Sequence, residues 1–73
     1  MQTLVFNTKT KSVTLYAQHP GTNIVHTFSD VPTVKVMESY YEVMRKQVDE
    51  EGNDARVPVA RFPISNTNML IQN

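Results

Sequence analysis

The sequence predicts a small, mainly β protein, and two features of the chain support that prediction. Apolar and polar residues alternate in several short runs, which is the pattern of half-buried strands. Turn-forming residues separate these runs at intervals of about 8 to 14 residues, a spacing typical of a small antiparallel meander or a curled barrel. We therefore expect five to six strands within one domain of 73 residues.

The N-terminal third of the chain predicts a β-hairpin followed by a third strand. Residues 3–7 and 12–18 alternate in polarity, and the polar segment between them suits a short hairpin loop. Pro20 and Gly21 fit the central positions of a type II turn, because glycine adopts a positive φ without steric cost. The third strand is expected from Ile24 to Phe28.

The segment at about residues 34–50 is compatible with two structures. As a helix, it places a stripe of apolar side chains at three- and four-residue spacing. As strands, Thr33 to Val36 alternates, a bend falls near residues 38–39, and extended structure resumes at Tyr40. The β-branched content and the Tyr40-Tyr41 pair favour strands. An α+β domain with one helix at about 34–50 is the alternative fold.

The stretch from Arg56 to Ile64 has the pattern of a strand but contains two prolines, Pro58 and Pro63. Proline donates no ladder hydrogen bond, so it belongs on a sheet edge, at a strand end or at a bulge. Successive residues of a strand direct their backbone N–H groups to opposite sides. Pro58 and Pro63 are an odd number of residues apart, so their missing N–H groups would face different sides, and one open edge cannot accommodate both. We expect a bulge between them, a change of strand partner, or a strand end at Pro63. A turn over 65–68 and a short terminal strand over 69–72 follow.

Composition excludes several classes of protein and site. Seven Lys and Arg residues balance seven Asp and Glu residues, whereas nucleic-acid binders normally carry a marked positive excess. The absence of cysteine excludes disulfides and thiolate metal sites. No apolar run reaches the length of a membrane span, and the N-terminal residues lack the features of a signal peptide. We therefore expect a cytoplasmic protein without a membrane partner, stabilised by good packing or by self-association.

No arrangement of residues in the sequence predicts catalysis or a cofactor. The chain's glycines, Gly21 and Gly52, are too few for a phosphate loop, and no nucleophile and base are suitably arranged. His19 and His26 make a poor metal site, because further ligands are missing. The acidic run from Asp49 to Asp54 lacks the spacing of an EF-hand, and we interpret it as a solvated hairpin loop. We expect no enzyme activity, no cofactor and no metal.

Apolar residues beyond the needs of so small a core predict an interface with another protein. Methionine adapts to irregular contacts and recurs on interaction surfaces, and a terminal strand can pair with a second copy across a two-fold axis. The alternative is that all of these side chains belong to the core. The predicted interface residues are Met37, Met44, Met69, Leu70 and Ile71. We expect a protein partner, self-association into a homo-oligomer, or both.

Three tyrosines define an alternative function, the binding of single-stranded nucleic acid. Tyr16, Tyr40 and Tyr41 are accompanied by lysine and arginine residues, and these residue types hold bases by stacking and phosphates by charge. Adjacent residues of a strand point to opposite faces, so only one of Tyr40 and Tyr41 can join any one platform. The neutral overall charge argues against this function.

Three segments in the second half of the chain carry a resemblance to known proteins. They are Val-Pro-Thr-Val-Lys-Val from Val31, Tyr-Tyr-Glu-Val-Met from Tyr40, and Arg-Val-Pro-Val-Ala-Arg-Phe-Pro-Ile-Ser-Asn-Thr-Asn-Met-Leu-Ile from Arg56. Over about residues 31–71 the chain resembles small uncharacterised proteins of tailed bacteriophages, including those that infect cyanobacteria. The motif is a packing and turn pattern that brings no catalytic or binding residue with it. The resemblance implies a phage factor that binds a host or viral protein in the host cytoplasm, or a minor structural part of a virion.

Overall fold

The computed structural model describes all residues from Met1 to Asn73 and folds them into seven strands without an α-helix. In chain order these are β1 (Gln2–Asn7), β2 (Ser12–Tyr16), β3 (Ile24–Phe28), β4 (Thr33–Val36), β5 (Tyr40–Val48), β6 (Asp54–Pro63) and β7 (Thr67–Gln72), with a 3₁₀ turn at Ile64–Asn66. The prediction of a mainly β fold is confirmed. The α+β alternative is wrong, because the segment at 34–50 forms β4 and β5 instead of a helix.

The strands form two sheets instead of one meander or a closed barrel. Sheet A has four strands in the order β3-β2-β1-β7, and sheet B has three in the order β4-β5-β6. Neighbouring strands are antiparallel except β1 and β7, which run parallel with Gln2 opposite Thr67 and Asn7 opposite Gln72. The structure therefore has seven strands where the sequence predicts five to six, and its terminal strand pairs with the first one.

Apolar side chains from the facing sides of the two sheets form one core. Along β2 buried and half-buried residues alternate, as the two-residue period of a strand requires, whereas in β1 Thr3 and Val5 are buried as well as the core residues Leu4 and Phe6. The buried members of the core are Leu4, Phe6, Val13, Leu15, Phe28, Val31 and Val43, and the half-buried side chains packed against them are Val34, Tyr41, Ala60, Phe62 and Met69. Phe28 and Phe62 meet edge to face between the sheets, with ring centroids 6.2 Å apart. Only 12 of 73 residues are buried, so much of each sheet faces solvent.

A bulge in β6 accommodates its two prolines. Met44 of β5 lies opposite Pro58, and the preceding residue of β5 lies opposite Ala60, which leaves Val59 without a partner residue. Such an extra residue bends the strand locally, and beyond it the backbone N–H groups and side chains point to the opposite sides from those that unbroken alternation predicts. Pro63 is the last residue of β6. Two of the three features that the sequence predicts therefore occur, a bulge between the prolines and a strand end at Pro63.

The outer half of the β5–β6 hairpin projects into solvent. Every residue from Lys46 to Arg56 is exposed. Asp49 closes the loop, because its Oδ1 accepts hydrogen bonds from the backbone N–H groups of Glu51 at 2.9 Å and Asn53 at 2.8 Å. Gly52 has a φ of +83°, a conformation that favours glycine. The acidic run is therefore a solvated hairpin loop, as the sequence predicts.

Candidate functional site

Charge is divided unevenly between the two sheets. No residue of β1, β2, β3 or β7 is Lys, Arg, Asp or Glu, so sheet A is free of formal charge on both faces and at both edges. The charged residues within strands all lie in sheet B, and they are Lys35, Glu42, Arg45, Lys46, Asp54, Arg56 and Arg61. The centres of protein interfaces are depleted of charged residues. Sheet A therefore shares this depletion of charge with the centres of protein interfaces.

β7 is the edge strand at which sheet A is open. Its only strand partner is β1. The Gln72 carbonyl faces β1, because it accepts a hydrogen bond from the Thr8 backbone N–H at 2.9 Å. Successive residues of a strand direct their backbone groups to alternate sides, so the N–H and C=O groups of Met69 and Ile71 point away from β1. These groups are free to pair with another strand.

The structure places the predicted interface residues in different environments. Leu70 is 38% exposed on the outer face of sheet A, Ile71 is 65% exposed at its edge, and Met37 is 40% exposed in the turn between β4 and β5. Met69 is half-buried and packs against the core. Met44 is only 5% exposed in the middle strand of sheet B, where it lies opposite Thr33 of β4 and Pro58 of β6. The inclusion of Met44 among the interface residues is therefore corrected.

The structure does not bring the three tyrosines onto one platform. Tyr16 belongs to sheet A, whereas Tyr41 packs against the core between the sheets. Tyr40 faces the opposite side of β5, where the Arg61 guanidinium lies 5.1 Å from the centre of its ring. Stacking of successive bases requires several rings on a shared surface. No feature of this arrangement favours nucleic-acid binding.

The outer face of sheet B contains an ion pair that the sequence analysis does not identify. Glu42 is only 7% exposed, and its Oε2 accepts a hydrogen bond from Nε of Arg61 at 2.7 Å. Lys35 of β4 lies opposite Glu42 on one side, and Arg61 of β6 lies opposite it on the other. The hydrogen bond to Glu42, with the charges of Tyr40 and Glu42, raises the pKa of the Arg61 guanidinium. A guanidinium group is charged at physiological pH even without such a shift, so Arg61 and Glu42 form an ion pair there.

A cleft of about 640 Å³ lies between the β1–β2 turn, the β3–β4 connection and the β5–β6 hairpin. Its charged lining residues are Lys11, Asp30, Lys46, Asp54 and Arg56. Lys11 and Asp30 have left-handed backbone conformations, with φ of 55° and 56°. The Val31 N–H donates a hydrogen bond to the Lys11 carbonyl, and the Lys46 N–H donates one to the Asp30 carbonyl. These two bonds connect the β3–β4 segment to the β1–β2 turn and to β5. Ligand pockets are mostly apolar with a few placed polar groups. Five of the seven residues that line this open cleft are charged, so it is a weaker candidate site than the sheet A edge.

The histidines occupy separate positions. His19 lies in the turn between β2 and β3, and the ring of His26 packs edge to face on Phe28 with centroids 4.5 Å apart. No group of three or more His, Cys, Asp or Glu side chains is placed to hold a metal ion. A role for either histidine does not follow from this geometry.

Comparisons with known proteins do not assign this chain to a group. No family model, no curated protein and no solved structure matches it. No helix in the structure has the length and apolar character needed to cross a membrane. The β7 edge and the outer faces of the two sheets are therefore the candidate functional surfaces of this protein.

Proposed function

We propose that this chain is a non-enzymatic protein-interaction module that binds an extended segment of its partner at the β7 edge. The observation that supports the proposal is an open edge strand without charge, proline or bulge, in a sheet that is free of formal charge. Strand addition at such an edge gains affinity from main-chain hydrogen bonds and selectivity from alternate side chains.

The other three edge strands carry features that discourage pairing. β6 contains Pro58, Pro63 and a bulge, and β4 has only four residues, one of which is Lys35. β3 is irregular, because Val25 has no partner residue in β2. Proteins protect exposed edges with prolines, charges, bulges and short strands. The six residues of β7 lack all of these protections, which is expected of an edge that a partner normally covers.

The side chains of β7 supply two different contact surfaces to an added strand. Leu70 lies on the outer face of sheet A beside Val5, so a partner residue there would extend an apolar row. Met69 and Ile71 lie on the opposite face, level with the core residues of β1. A partner segment that alternates apolar residues would satisfy both faces. We expect such a segment in a host or viral protein.

The same edge supports self-association into a homodimer. A two-fold axis pairs β7 antiparallel with β7 of a second copy, so like charges in the strand would face one another and repel, and β7 carries none. With Leu70 at the axis, Met69 of one copy pairs with Ile71 of the other, and their outward backbone groups meet. Stable interfaces bury about 1,200–2,000 Å² in total. One pair of six-residue strands covers less than this, so we expect a weak dimer with micromolar affinity.

A phage context for the module is supported only by the resemblance of residues 31–71 to small bacteriophage proteins. In that context the protein would act in the host cytoplasm as a factor that binds a host or viral protein. A minor structural role in a virion would use the same edge, since strand addition also joins the subunits of assemblies.

The substitution Ile71→Pro tests the proposed edge. The Ile71 N–H points away from β1, so proline removes one outward donor and leaves the β1–β7 ladder intact. Ile71→Ala is the matched control, because it shortens the same side chain and keeps the N–H. Sedimentation velocity over the micromolar range measures self-association, and affinity capture with mass spectrometry measures the binding of other proteins. We expect Ile71→Pro to abolish both, and a folded Ile71→Pro variant that still binds like the wild type refutes the proposal.

A further inference from the structure

We infer that the outer face of sheet B is a second recognition site, which binds a carboxylate group of a partner protein. Arg61 is the binding residue, and Glu42 and Tyr40 are the residues that position it. The site lies on the opposite sheet from β7, and it does not depend on strand addition at that edge.

Arg61 keeps most of its hydrogen-bonding capacity free. A guanidinium group has five N–H donors, and only Nε of Arg61 is engaged, in the 2.7 Å hydrogen bond to Glu42. The Arg61 side chain is 61% exposed. Its two terminal amino groups therefore remain free, and they form the planar fork that matches the two oxygens of a carboxylate.

The Arg61 guanidinium is held from two directions. Glu42 fixes it through Nε, and the Tyr40 ring supports its face with the ring centre 5.1 Å from Cζ. A long flexible side chain normally loses rotamer freedom when it binds a ligand, and an arginine that is already held loses less. Arg56 offers a contrast within the same strand, because it is exposed and makes no hydrogen bond or ion pair.

Stability alone does not account for the buried carboxylate of Glu42. Burial of a charged group is costly, and replacement of a buried ion pair by apolar side chains is often neutral or stabilising. Glu42 nevertheless lies in the middle strand of sheet B, and its single hydrogen-bonded cation is an exposed one. A positioning role for Glu42 explains why a carboxylate occupies this place.

The net charge of the residues around Arg61 favours a ligand with one negative charge over a phosphate. Arg61 and Lys35 flank the single carboxylate of Glu42, which leaves one net positive charge. A carboxylate neutralises that charge, whereas a phosphate carries about −1.5 to −2 and would be repelled by Glu42. The chain as a whole has no net positive charge to support the binding of a phosphate backbone. The partner is therefore expected to present an aspartate or glutamate side chain.

Side-chain NMR of arginine tests the assignment, because the Nε–H signals of Arg61 and Arg56 report on two sites in one sample. The probes are a tetraglutamate peptide and inorganic phosphate, titrated separately at constant ionic strength. We expect a saturable shift of the Arg61 signal with tetraglutamate and a small, linear shift of the Arg56 signal. Arg61→Lys keeps the charge and removes the fork, so we expect it to bind tetraglutamate about tenfold more weakly than the wild type does. The affinity of this variant is measured from the shift of the Glu42 backbone amide signal.

Three results would overturn the inference. Equal responses of Arg61 and Arg56 would show non-specific screening by the peptide. Unchanged tetraglutamate affinity in Arg61→Lys would show that the fork is not used. Phosphate binding at least as tight as tetraglutamate binding would reject the carboxylate assignment. Ile71→Pro should leave the Arg61 titration unchanged, so failure of this site and failure of the β7 edge can be told apart.

Discussion

Leu4 lies in β1, an interior strand of sheet A, and none of its surface is exposed. The substitution Leu4→Ala removes three carbon atoms from the centre of the core. β2 and β7 fix the backbone on both sides, so the neighbouring side chains cannot fill the space completely. Buried Leu→Ala substitutions cost about 2.7–5.0 kcal/mol, and a domain of this length has a free energy of unfolding of about 4–11 kcal/mol. We expect a loss of about 3 kcal/mol and a fall in Tm of about 12–24 °C.

Leu70→Ala is the matched control, because the same side chain is shortened on the outer face of the same sheet. Because Leu70 is 38% exposed, the three carbon atoms that it loses are only partly buried, and we expect a loss of about 1.5 kcal/mol. Urea unfolding followed by circular dichroism measures both variants, at concentrations where the protein is monomeric. The slope of the transition should stay unchanged, so that the midpoint reports stability directly. Equal losses in the two variants would refute the inference that Leu4 faces a core between two sheets.

The hairpin loop provides further predictions. Asp49→Ala removes the acceptor for the Glu51 and Asn53 amides, so we expect a loss of about 1 kcal/mol and faster hydrogen exchange at Asn53. Glu50→Ala is the control, because the Glu50 side chain is exposed and makes no hydrogen bond or ion pair, which predicts a change within about 0.5 kcal/mol. Gly52→Ala meets open space at Cβ but keeps a φ of +83°, which predicts a loss of about 1 kcal/mol from backbone strain alone. Urea titration measures all three variants, and a loss from Glu50→Ala equal to that from Asp49→Ala would contradict the loop geometry.

Local patterns in the sequence were sufficient to predict where most strands lie. The predicted third strand, Ile24 to Phe28, has the same bounds in the structure. The bend near residues 38–39 separates β4 from β5 as expected, because the alternation of Thr33 to Val36 stops there. The opposite parity of Pro58 and Pro63 indicated a bulge or a strand end, and both occur. Each of these features depends on residues that are close together in the chain.

Strand pairings and burial that depend on residues far apart in the sequence could not be predicted from local patterns. The parallel pairing of β1 with β7 joins segments from the two ends of the described chain, and no local pattern encodes it. Burial of Met44 follows from its place in a middle strand opposite Pro58, which alternation alone does not reveal. The Glu42–Arg61 pair depends on the register of β5 and β6 beyond the bulge, so it becomes recognisable only after that register is known.

The parallel pairing of β1 with β7 also has a kinetic consequence. Gln2 donates a side-chain hydrogen bond to Thr67, 65 residues away along the chain. Contacts of such separation slow folding, and proteins dominated by them refold in milliseconds to seconds. Until β7 docks, β1 also has an unpaired edge, so a refolding molecule offers one more uncharged strand to its neighbours. Recovery after denaturation should therefore fall as the protein concentration during refolding rises.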